Sequence, residues 1–170
     1  MKKVLQEKYY LIHFRILQED YYTFWYTDDK DGFLLDTNGM LKFCSTKEEA
    51  AAFAEQEGFL LDTDALLVSS AILRRIHIRK IKCSLFLNYW NIFSDVAYSI
   101  NGSFLGDNYD IEVIKHIYDK LFYGCNILVK EDEEHYRPKW SKKERRWIAK
   151  VLRNGFRILS KGLKRQKAAL

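Results

Sequence analysis

The pattern of hydrophobic and polar positions changes period along the chain. In the first third, "KYYLIHFRIL" and "YYTFWYT" are dense in β-branched and aromatic residues and a polar "QED" separates them, which predicts a β-hairpin. A second hairpin is predicted where "FLL" and "MLKFC" flank "DTNGM", because Asn38-Gly39 is the dipeptide of a type I′ turn with positive φ at both central residues. Ser45 with Glu48 then spells a capping box. The segment "KEEAAAFAEQE" consists of strong helix formers, and Gly58 stands where a C-terminal cap belongs.

Residues 59–82 carry no single period. A strand near Phe59 to Leu61 followed by a mostly helical connection is the expected arrangement. From Ser84 to Ile100 the period becomes helical. Phe86, Tyr89, Trp90, Phe93, Val96, Ala97 and Ile100 fall on one side, and Ser84, Asn88, Asn91, Asp95 and Ser99 on the other. A polar face with one carboxylate is too uncharged for open solvent. Either another segment of the chain or a partner is expected to cover it.

A further helix is predicted from Asp110 to near Gly124. The last helix opens at a Ser141/Glu144 capping box, with Trp147, Ile148, Val151, Leu152, Ile158, Leu159 and Leu163 as its apolar stripe. Strands first and helices afterwards predict an α+β fold: an N-terminal antiparallel sheet with one helix over residues 1–62, then a helical half over residues 63–165. A length of 170 residues with one proline and no Gly/Ser tract fits a single domain spanning 1–170.

Cysteine and histidine usage narrows the chemistry. Cys44, Cys83 and Cys125 are odd in number and far apart, which argues against a disulfide framework and a zinc knuckle and for a reducing, cytoplasmic compartment. No two of His13, His77, His116 and His135 stand four apart as metal ligands on one helix face would, and no P-loop, GxGxxG or GxSxG motif occurs. No metal, cofactor or catalytic residue is therefore assigned, and an enzyme is not expected. His116 with Asp119, three apart on a helix, reads as a surface pair, and Cys125 as a bystander thiol. The longest nearly uncharged run, "ALLVSSAIL", falls far short of the roughly 20 residues that span a bilayer, so no membrane partner is expected.

Charge divides the chain. The first 70 residues hold 7 Lys+Arg against 13 Asp+Glu, whereas the remaining 100 hold 21 against 10. Asp28, Asp29 and Asp31 lie in a turn between strands, and Glu48, Glu49, Glu55 and Glu57 on the following helix; together they are the candidate surface for a basic partner. A solvated loop and carboxylates favoured by the helix dipole account equally for Glu48 and Glu49, but not for Glu55 and Glu57. At the other end, "KKERR" and "KGLKRQK" flank the last helix. They read either as a solvated cationic face, the expected case, or as a nucleic-acid-binding surface.

The order "FLNYWNIFSDVAYSINGSF", "IYDKLFYGCNI", "EHYRPKWSKKE", over about residues 84–145, resembles the C-terminal half of immunity proteins from bacterial polymorphic-toxin and contact-dependent growth-inhibition systems. The resemblance implies an α+β fold and a protein partner: a cognate toxin domain, with a nuclease as the expected class, neutralised by tight non-catalytic binding. It assigns no active site, and it implies that Asn88, Asn91 and Asp95 are internal scaffold, bonded to backbone of "NGSFLGDN" or of the segment from Gly124 to Trp140 in preference to contacting the toxin. A nucleic-acid-binding accessory protein using the basic last helix is the alternative.

Overall fold

The computed structural model describes residues 7–76 and 81–164, which form an α+β fold. His77, Arg165 and Lys167 lie outside the described residues. Two long strands, β1 (Lys8–Ile16) and β2 (Glu19–Tyr26), pair antiparallel across a two-residue connection. Two short strands, β3 (Gly32–Phe33) and β4 (Phe43–Cys44), pair with β2 on its far side. Helix α1 (Lys47–Glu57) follows and leads into β5 (Leu60–Ser69), which lies beside β1. A 3-10 turn at Ser70–Arg74 precedes α2 (Cys83–Ser99), α3 (Glu112–Gly124) and α4 (Lys142–Gly162).

Alternation along the strands sets the layers. Leu11 and Phe24 point to one face, where they meet Ala50 with Phe53 and Phe59. Ile12, Phe14 and Ile16 point to the other face and join the larger core formed with α2, α3 and α4. The sheet is thus covered by α1 on one side and by three helices on the other.

Local structure departs from the sequence expectation at three places. The sheet is mixed, because β5 runs parallel to β1 for ten residues where a short strand and a helical connection were expected, so the division at 62/63 falls inside a strand. A bulge explains the misleading pattern: Asp62 pairs with Tyr10 and Leu66 with Ile12, so three residues of β5 face one of β1 and the alternation breaks. At the second hairpin, among the described residues Gly39 takes φ 75° but Asn38 does not take positive φ. Asp36 O accepts the Gly39 N–H at 3.1 Å and Asp36 Oδ1 accepts the Asn38 N–H at 2.8 Å, which makes this a longer turn organised by Asp36 and not a type I′ turn. The cap of α1 is displaced by one residue. Thr46 accepts the Glu49 N–H and Glu49 accepts the Ser45 N–H, while Gly58 closes the helix in the left-handed region at φ 77°.

The helical half follows its pattern more closely. Six of the seven residues on the apolar side of α2 are buried, Ile100 being half-buried, and Ser141 with Glu144 forms the capping box of α4. Helices α2 and α4 cross at Gly155. A Cβ there would lie 2.2 Å from the Phe93 ring, so the helices approach by the width of a missing methyl group. Gly155→Ala is expected to destabilise the fold by about 1 to 3 kcal/mol, despite the better helix propensity of alanine. Urea denaturation checks this; an unchanged midpoint would place the crossing elsewhere.

Candidate functional site

The polar face of α2 does not lie under irregular chain as expected; most of it looks across a cleft at the sheet. Trp25 of β2 donates its indole N–H to Asp95 Oδ2 at 3.0 Å, and Ser99 Oγ accepts the Phe33 N–H at 2.8 Å while donating to Asp95 O. Tyr118 of α3 donates to Asn91 Oδ1 at 3.0 Å. Ser94, beside this face, bonds Asp107 of the "NGSFLGDN" segment. The Trp25 and Phe33 bonds hold α2 beside the sheet.

The opening that remains is a cleft of about 560 Å³. Tyr10, Ile12 and Leu66 form its sheet wall, Asn88, Asn91 and Asp95 its helical wall, and Trp25 and Tyr118 contribute rings. Asp31 and Asp64 also line it, Asp64 being held in the β5 bulge. Burial pushes the Asp95 carboxyl up to about 6, with Asp31 and Asp107 adding to the rise and the Trp25 hydrogen bond and Lys30 opposing it. Burial likewise raises Asp107. The cleft therefore gathers negative charge among aromatic rings, a setting that favours an incoming cation.

Such a carboxylate costs stability. Because the folded value of Asp95 lies above its ordinary value of 3.8, folding favours the protonated form, and stability falls as pH rises from about 4 through about 6. Asp95→Asn retains an oxygen for Trp25 and removes the titration. Its melting temperature is expected to equal that of wild type at about pH 4 and to exceed it at about pH 7.5. A constant difference across that range would show that Asp95 does not titrate as described.

The seven carboxylates proposed from the sequence do not form one surface. Asp31 enters the cleft, on the helical side of the sheet. Asp28 and Asp29 stay exposed in the turn, where the Asp29 N–H bonds Asp28 Oδ1. Glu48, Glu49, Glu55 and Glu57 are exposed on α1, against the opposite face of the sheet, and Glu49 is engaged in the helix cap. Sequence reasoning did not single out Asp64, and it expected Asp95 to be internal scaffold, which its bond to Trp25 fits although the residue also lines the cleft. The available signal was the isolation of Asp95 on an otherwise uncharged helix face.

The other singled-out groups are held by ordinary contacts. His116 Nε2 lies 3.4 Å from Glu144 Oε1 and does not pair with Asp119 as expected; Lys120 holds the same carboxylate at 2.8 Å. Burial raises the Cys125 thiol, which donates to Leu121 O, so it is not an activated thiolate. Among the described residues no group of three His, Cys, Asp or Glu could hold a metal ion, and no helix is long and apolar enough to cross a membrane.

The chain matches no family model, no curated protein and no solved structure.

Proposed function

We propose that the protein is an immunity protein that neutralises a cognate bacterial toxin domain in the cytoplasm by tight, non-catalytic binding. One observation supports this reading above the others. The cleft combines Asp31, Asp64 and Asp95 with Tyr10, Trp25 and Tyr118, so charge of one sign stands beside large rings. Protein interfaces draw much of their energy from such buried aromatic anchors, and complementary charge sets orientation and association rate. The resemblance supplies the class of partner, and the cleft supplies its sign: a basic segment, as a nuclease domain carries on its substrate-binding face.

Inhibition follows from occupancy. A toxin arginine or lysine inserted between Trp25 and Tyr118 would meet Asp95, and the body of the protein would then cover the toxin surface around it. Co-expression with the toxin domain encoded in the reading frame immediately upstream tests this reading. Wild-type protein is expected to restore growth, and Asp31→Lys/Asp64→Lys to restore it poorly. Failure of wild type to protect against that toxin would remove the immunity function.

A further inference from the structure

Helix α4 carries a second charged feature that the toxin-binding reading does not use. Lys143, Arg146, Lys150, Arg153, Arg157 and Lys161 recur every three or four residues and fall within an arc of about 80° at 100° per residue. Five of the six are exposed and Arg153 is half-buried. They mark a straight line about 27 Å long at a rise of about 1.5 Å per residue. Among the described residues none of the six forms an ion pair, although Lys150 lies over the Trp147 ring. Glu144 is the sole carboxylate of α4, and the capping box and Lys120 occupy it. Arg145 is not part of the line, since it reaches inward to Ile76 O.

The fold gains little from this arrangement beyond the Lys150 contact with Trp147 and the place of Lys161 in the last turn, where the dipole favours a cation. Successive like charges three or four apart repel one another, and Lys143 and Arg146 stand near the helix N-terminus, where the dipole disfavours cations. Lys164, beyond the helix, is by contrast neutralised by Asp36 at 2.7 Å.

We infer that this stripe is a binding site for the phosphate backbone of duplex nucleic acid. Its cations follow one another at about 4.5 to 6 Å, a spacing that lets about five of them each neutralise one phosphate of the duplex. A membrane surface fits less well, because Ile148, Leu152, Phe156 and Leu159 are each 0% exposed and leave no apolar face to insert. Stacked single strands fit less well too, since neither aromatic ring of α4, Trp147 or Phe156, is exposed. The contacts are to backbone, so binding is independent of base sequence.

Fluorescence anisotropy with a labelled 20-base-pair duplex, titrated between about 50 and 200 mM salt, tests the site. The log–log salt slope is expected to be about −4 to −5 and the same for a second, unrelated duplex. Arg146→Gln/Lys150→Gln/Arg153→Gln/Arg157→Gln should flatten the slope by about 3 to 4 and weaken binding at least about 30-fold at 100 mM salt. Arg74→Gln/Lys115→Gln/Lys130→Gln/Lys139→Gln, which removes the same charge elsewhere, should leave the slope within about 1 of wild type. Equal losses in the two variants would reduce the effect to net charge. A wild-type slope shallower than about −2, or equally tight binding to phosphatidylserine vesicles or polyglutamate, would also overturn the assignment.

Discussion

Replacing Trp90 by alanine is expected to destabilise the protein by about 3 to 5 kcal/mol, the largest effect of any single truncation considered. The ring is 1% exposed and meets Phe104 and Tyr118 edge-on at centroid distances of 6.3 and 5.8 Å. Its indole N–H donates to Gly106 O at 3.2 Å. Alanine would leave both a cavity and a buried carbonyl without its donor, and those two costs add. For a chain of this size, about 2 to 4 °C is lost per kcal/mol, so the melting temperature should fall on the order of 10 °C. Leu128→Ala, at a site 72% exposed, should leave it unchanged. A Trp90→Ala protein that melts with wild type would place that ring outside the core.

Features set by neighbouring residues were legible in the sequence. The Ser141/Glu144 box, the Gly58 cap and the apolar side of α2 each depend on residues within a few positions of one another, and each formed as the spacing dictates. Features that depend on register or on distant chain were not. The parallel partnership of β5 with β1 was hidden because three bulged residues erase the alternation by which a strand is recognised. The cap of α1 moved from Ser45 to Thr46 because both residues can accept an amide and each has a glutamate three positions on.

The site was less legible than the fold for a related reason. The cleft takes Tyr10 from β1, Trp25 from β2, Asp64 from β5 and Asp95 from α2, and no local pattern links them. A count of carboxylates in the first third therefore chose Glu48 and Glu57, which the sheet separates from Asp31. On α4 the charged ends drew attention, whereas Lys150, Arg153 and Arg157 lie among apolar letters and emerge only when the helix is turned.

The second large effect concerns the cleft. Asp31→Lys/Asp64→Lys should weaken binding of the toxin domain by about 100-fold or more, since two attractions become two repulsions beside a basic partner. Much of that loss should appear as slower association with a reduced dependence on salt, because both residues meet the approaching charge early. Glu48→Lys/Glu57→Lys makes the same change in net charge on α1, and its affinity should stay within about threefold of wild type. Stopped-flow association measured across salt concentrations separates the two. Equal losses in both variants would mean that overall charge, and not the cleft, governs the encounter.

Calorimetric titration of the purified toxin domain into wild-type protein, in buffers of different ionisation enthalpy at about pH 6, tests the central claim most directly. A cation seated against Asp95 lowers its raised value, so binding should be one to one and should release roughly half a proton near pH 6, with little release at about pH 8. Asp95→Asn should abolish that release. Absence of binding, or tight binding with no proton release and no response to Asp31→Lys/Asp64→Lys, would contradict capture of a basic toxin by this cleft.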